Sequence, residues 1–222
     1  MKTKSTAFAV LVPAMVVAGG CAMNQTPEPK EQAAQTVVQF QNDAQATRAQ
    51  VEKTLASLNA LMKAPPQEVA QAYTRYAADV DAMNKQKDAV SEQSDEIKSR
   101  SSKWQSNWQK SQAEVKNPEL KALNEQRRSE IMTRFEKINA SFDSAHDAFI
   151  PFIANIEDVK TVVGNDVTKR GVDRVSAAGV VRKANTNGNA VIENIDIAVA
   201  ESGKLANALS PGAVPAPQPV AK

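Results

Sequence analysis

Residues 67–116 read QEVAQAYTRYAADVDAMNKQKDAVSEQSDEIKSRSSKWQSNWQKSQAEVK, and this stretch decides the fold. Val69, Tyr76, Met83, Val90, Ile97 and Trp104 recur every seven residues, and a second line runs Tyr73, Val80, Lys87, Ser94, Ser101, Trp108 and Val115. Two apolar lines at heptad spacing bring one stripe of a helix against a partner, so the segment is predicted to be a long helix with a coiled-coil seam that turns polar in its middle. No run alternates with period two, and Ala, Gln, Lys and Glu, all good helix formers, dominate.

The partner follows directly. Asn117-Pro118-Glu119 combines an N-cap, a first-turn proline and a first-turn acid, so a new helix is expected to start there. From Ile131 its seam steps by fours and threes through Phe135, Ile138, Phe142, Ala145, Phe149, Phe152, Ile156, Val159 and Val163. Folding back at Asn117 opposes positions whose numbers sum to about 235. Trp104 then meets Ile131, Ile97 meets Ile138, Val90 meets Ala145, Met83 meets Phe152 and Tyr76 meets Val159. At ~1.5 Å per residue this hairpin is ~70 Å long. Pro151 removes one backbone hydrogen bond and predicts a kink near residues 147–149, while the seam continues in phase across it.

Two further helices are expected around the hairpin. The first, residues 30–63, carries Val37, Ala44, Val51 and Leu58 at seven-residue spacing and ends at Pro65-Pro66. The other, residues 167–209, follows Gly164-Asn165-Asp166, which reads as a C′ glycine and a cap, and the run Asn185-Thr186-Asn187-Gly188-Asn189 is a candidate break within it. These two should cover the apolar half of the hairpin, residues 67–97 and 138–163, and leave residues 98–134 as a bare, polar arm. The fold class is therefore all-α, an elongated helical bundle with a long antiparallel coiled-coil hairpin. Its parts are a signal peptide over 1–20, a linker over 21–29, the bundle over 30–209 and a Pro-rich tail over 210–222 that is too rich in proline to pack.

The N-terminus carries an address. Met1-Lys2-Thr3-Lys4 is basic, residues 7–17 are an apolar run too short to span a hydrocarbon core, and Ala18-Gly19-Gly20 precede Cys21, the single cysteine. Here the chain resembles the bacterial lipoproteins, whose lipobox ends in an acylated cysteine. Gly20 and Cys21 match it, and Ala18 stands where that family prefers Leu. The resemblance implies an acylated Cys21. Ala22, in the position where Asp would retain the protein at the inner membrane, implies the outer membrane, with the body facing the periplasm. More broadly, the pattern resembles a proteobacterial family of helical-hairpin lipoproteins of unknown function, which share a lipobox, a central hairpin and a last helix opening like Thr168-Lys169-Arg170-Gly171-Val172. That resemblance implies no activity.

Composition narrows the chemistry. One Cys and one His among 222 residues cannot assemble a Cys/His metal cluster or a disulfide framework. Removing Lys2 and Lys4 with the signal brings the net charge from +2 to zero, so no strong field remains to recruit nucleic acid.

Four constellations could carry function. Trp104 and Trp108 share one helix face, with Lys98, Arg100, Lys103 and Lys110 nearby, which suits an anionic headgroup layer or a partner groove. The competing expectation packs them in the seam, with Trp108 over Arg127 or Arg128. His146 between Asp143 and Asp147 is expected to be a solvated charge pair. The serines of residues 99–111 have no base beside them to activate a hydroxyl. Lys222 resembles the terminal lysine that the major murein lipoprotein links to peptidoglycan, but the Val220-Ala221 before it does not match. No convergent titratable set points to an enzyme, and no cofactor or metal is expected. The expected role is a lipid-anchored structural or protein-interaction module with an envelope protein or a second copy as partner. The alternative is a tether touching peptidoglycan through the hairpin tip or the tail.

Overall fold

The computed structural model describes residues 29–209; the signal segment, Cys21 with its linker, and the tail from Ser210 lie outside the described residues, as do the side chains of Val90 and Ile97. The described residues form five helices, α1 (Pro29–Lys63), α2 (Val69–Glu114), α3 (Pro118–Asn165), α4 (Lys169–Ala177) and α5 (Val180–Leu209). Around the bundle α1 packs on α2, α2 on α3, α3 on α5 and α5 back on α1. The chain thus runs up, down, up and down, with α4 as a short corner and with α1 and α3 parallel across the diagonal. The 48 residues of α3 make it ~72 Å long.

Local chemistry sets the helix ends. Asn117 Oδ1 accepts from the backbone N–H groups of Glu119 at 2.9 Å and Leu120 at 3.1 Å, satisfying two of the first-turn donors of α3. Gln112 ties the hairpin across its turn, donating to the Lys121 carbonyl at 2.8 Å and accepting from Asn124 Nδ2 at 2.8 Å. The register lies close to the expected one. The buried Tyr76 hydroxyl donates to the Ile156 carbonyl at 2.6 Å, a pair summing to 232, and Lys98 meets Asp143 at 2.6 Å, a pair summing to 241. α3 runs unbroken through Pro151. The largest fully buried side chains include Tyr76, Phe152, Leu58, Leu61, Met83 and Ile156, and burial pushes the Tyr76 phenol far above its ordinary pKa.

Three expectations change. The last helix breaks, but at Ala178-Gly179, where Gly179 takes φ +75°, and not over residues 185–189. Through Gly188 the helix is continuous because α5 lies tight against α1 and α3: a Cβ there would stand 2.9 Å from Leu55 Cδ1 and 3.0 Å from Phe152 Cε2. Asn185, whose type suggested a loop, instead pairs its amide reciprocally with that of Asn59, at 2.9 and 3.2 Å.

Secondly, Gly164 lies inside α3, and what favours a glycine there is the Tyr73 hydroxyl, which stands where a Cβ would be. The turn into α4 is made just beyond it, where Thr168 Oγ1 caps the Gly171 N–H at 3.2 Å and bonds to Asp166 at 2.7 Å. Lys169 reaches the Met62 carbonyl near the end of α1 at 3.5 Å.

Thirdly, the bare arm is shorter than 98–134. α5 runs antiparallel to α3 as far as Arg127, whose Nη2 donates to the Ala208 carbonyl, and Ser101, Ile131 and Phe135 are buried at levels expected to be open. Two helices alone remain only beyond Trp108 on α2 and before Arg127 on α3.

Candidate functional site

The residues singled out at the hairpin end divide into two groups. Trp104 and Trp108 stack with ring centroids 4.9 Å apart at 38°, and Trp104 also meets Phe135 at 5.9 Å and 45°. Residues i and i+4 on α2 lie one above the other, and Phe135 comes from the opposing seam of α3, so the three rings line the seam between α2 and α3. Both tryptophans are half-buried, and the buried Nε1 of Trp108 has no hydrogen-bond partner. Lys103, next to them in sequence, is exposed.

The two arginines have other duties. Arg127 caps the last turn of α5 through the Ala208 carbonyl, which places a cation where the helix dipole is negative, and it approaches Glu130 at 3.5 Å. Arg128 grips Glu125 through Nε at 2.9 and 3.0 Å, and this pairing holds the Glu125 carboxyl below its ordinary range and raises the Arg128 guanidinium. Trp104 thus packs against Phe135 of the opposing helix and stacks on Trp108, while both guanidiniums are engaged elsewhere.

The other constellations resolve in the same manner. His146 Nδ1 lies 3.9 Å from Asp147, while Asp143 is held by Lys98 across the hairpin at 2.6 Å. Ser102 and Ser111 donate to the carbonyls of Lys98 and Asn107 four residues back, at 3.0 and 3.2 Å, a local arrangement that occupies their protons. Among the described residues no three His, Cys, Asp or Glu side chains gather at metal-binding distance, and no helix is long and apolar enough to cross a membrane. An apolar cavity of about 10 Å³ lies between Ala44, Phe142, Phe149 and Ile195, room for one water at most. Cys21 and Lys222 lie outside the described residues.

Sequence reasoning missed two features. Leu120 and Leu123 are 57% and 63% exposed on the tip, which the polar composition of that arm concealed although their i, i+3 spacing marks one helix face. Glu201 is a buried carboxylate on the apolar side of α5. Its hydrogen bond from Lys204, at 2.6 Å, is the main reason it titrates below the ordinary range, with Lys137 and Arg134 adding to the effect. Its phase with Ala198, Leu205 and Leu209 was a readable signal.

No curated protein matches the chain. A family model described as a protein of unknown function, DUF2959, matches residues 23–209, from two residues after Cys21 to the last residue of α5. The chain belongs to the DUF2959 family.

Proposed function

We propose that the protein is a lipid-anchored component of the bacterial envelope that works as a structural or protein-interaction module, its rod carried on the periplasmic side of the outer membrane and not acting as an enzyme. The observation that carries the reading is the N-terminal segment, in which a basic start, a short apolar run and Ala18-Gly19-Gly20 lead to the chain's only cysteine. Several acyl chains on Cys21 would hold the body stably, where a single chain binds only marginally. A closed bundle with long exposed faces suits a spacer or a docking surface.

The experiment is mass spectrometry of the N-terminal peptide of the full chain isolated from envelopes. The expected species begins at Cys21 and carries acyl groups; Cys21→Ala should abolish the anchoring, and Ala22→Asp should move the protein to the inner-membrane fraction. A mature chain with a free Cys21 thiol would sink the reading. Crosslinking from Lys103 in the native envelope then sorts the partners. One recurrent envelope protein would mark an interaction module, and self-links alone a spacer.

A peptidoglycan tether is the second reading, through the hairpin tip or the tail after Leu209. Both leave the bundle at the end where α1 begins, so under this proposal they would face the anchoring membrane. Co-sedimentation of the lipidated protein with purified sacculi tests it.

A further inference from the structure

We infer that the hairpin tip docks on the same bilayer that holds the acyl chains, with Leu120 and Leu123 entering the headgroup boundary; the inference rests on the lipid-anchor reading above. The argument is one of heights. α1 and α3 are parallel, and the rings of Phe40 and Phe142 meet at 4.7 Å. Counting eleven residues back along each helix puts Pro29 level with Ile131. Contacts to α2 agree: Gln50 donates to the Asp79 carbonyl at 3.1 Å, which sets Pro29 opposite residue 100. The turn at residues 115–117 therefore projects ~20 Å beyond the start of α1.

Cys21 is eight residues before Pro29. Eight residues span at most ~29 Å when fully extended, and an ordinary coil of that length averages ~15 Å. The coil average is thus shorter than the ~20 Å projection of the tip, and only full extension exceeds it. An upright rod hanging from Cys21 brings its own tip to the membrane surface.

The chemistry of the tip suits that surface. Leu120 and Leu123 share one face of the first turns of α3 and are 57% and 63% exposed, whereas Val38, Ile150, Val162 and Ile197 are spread singly along the rod. Exposed Lys110, Lys116 and Lys121 flank the pair. Between Trp108 and Arg127 these three lysines are matched in number by Glu114, Glu119 and Glu125, and most cations farther back are drawn into ion pairs, Lys98 with Asp143, Arg100 with Glu96, Arg127 with Glu130 and Arg128 with Glu125. Leucines placed in the acyl boundary with lysine ammonium groups at the phosphates form an interfacial contact.

The test uses the full lipidated chain, reconstituted in vesicles of phosphatidylethanolamine with a minority of phosphatidylglycerol. Leu120→Cys and Leu123→Cys, both at exposed sites, would be labelled with an environment-sensitive dye, and Ala177→Cys at the far end serves as the reference. Nitroxide lipids should quench both tip positions at least about twofold more than the reference, with a blue-shifted emission. Equal quenching with an acylated Cys21 confirmed by mass would overturn the docking and leave the anchor reading standing. A blue shift that arises without nitroxide quenching, and that is accompanied by energy transfer between differently labelled copies, would also overturn it, by assigning the leucines to a second copy. A Cys21 without acyl groups would overturn the anchor reading, and the docking with it.

Discussion

The two ends of the rod obey different rules. At the corner end, all five helices converge: Leu55 of α1 and Phe152 of α3 lie against Gly188 of α5 at one level, Tyr76 spans from α2 to α3, and Lys169 of α4 closes on α1. At the tip end, two helices stand alone, held by the Asn117 cap and by the bonds of Gln112 to Lys121 and Asn124, with the pair Arg128–Glu125 within α3. Burial makes the first region intolerant of volume change. Hydrogen bonds between exposed groups make the second replaceable almost residue by residue. Stability and surface chemistry are thus assigned to opposite ends of one molecule, which leaves the tip free to be shaped by what it touches.

The sharpest way to break this contrast is to truncate a side chain at the corner end. Phe152→Ala empties a fully buried site and should cost about 3–5 kcal/mol, lowering the thermal midpoint followed by circular dichroism. Leu123→Ala, a truncation of three carbons at an exposed position, should fall within about 0.5 kcal/mol of the parent. Similar losses from the two would mean that the tip is packed against something in solution.

Gly188 sharpens the comparison within a single helix. Ala has the higher helix propensity, by about 1 kcal/mol, yet its methyl group at 188 would press on Leu55 and Phe152, so Gly188→Ala should lose about 1–2 kcal/mol net. Gly203 on the same helix faces only the Gln41 amide at 3.2 Å, which needs to give by a few tenths of an ångström and can do so while keeping its bond to the Val199 carbonyl. Gly203→Ala should gain about 0.5 kcal/mol. Urea midpoints of opposite sign for the two variants are the expected result, and two gains would contradict the close approach of α1 and α5.

These glycines also show how far the sequence could be read. The hairpin was legible because heptad spacing and the Asn117-Pro118-Glu119 signature are local, and local rules state where a helix starts and which face it buries. Glycine is ambiguous locally. Gly188 reads as a breaker beside Asn185 and Asn187, and only the neighbouring α1 and α3 make it a close contact. Gly179, the actual break, carries no turn neighbours to betray it. The reach of α5 was hidden for a related reason: the position of the break sets how far the remaining 30 residues extend, and with them the fate of Arg127. Trp104 and Trp108 were correctly placed on one face, but the ring opposite Trp104 depends on an offset of one turn in register that heptad counting does not resolve. Leu120 and Leu123 went unnoticed because composition averages over a segment, whereas exposure belongs to individual positions.

At the tip itself, Asn117→Ala removes the acceptor for two N–H groups and should cost about 1 kcal/mol. The loss should be local, seen as faster amide exchange at Glu119 and Leu120 with the protection of Phe152 and Ile156 retained. A parallel loss of protection at both ends would show the rod to unfold as one unit, and the contrast between the regions would then hold for structure but not for opening.

The smallest effect falls on the border between the two regions, where Glu201 is buried at 8% exposure and receives a hydrogen bond from Lys204 at 2.6 Å, with Arg134 at 3.5 Å. Its carboxyl is held below the ordinary value, chiefly by the Lys204 hydrogen bond. The folded chain thus binds this proton less readily than the unfolded chain does. The stabilisation is complete above the ordinary carboxyl pKa and fades as the pH falls through the lowered folded value. Because Lys204 is 57% exposed and screened by solvent, the contribution should stay under about 1 kcal/mol. Glu201→Gln should therefore be slightly less stable than the parent near neutral pH, and the two should converge in acid as the parent loses what the variant never had. Urea midpoints for the pair at neutral pH and below pH 4 give the comparison. A gap that persists unchanged in acid would show that the side chain acts there by shape and hydrogen bonding, with its charge contributing nothing to the seam between α3 and α5.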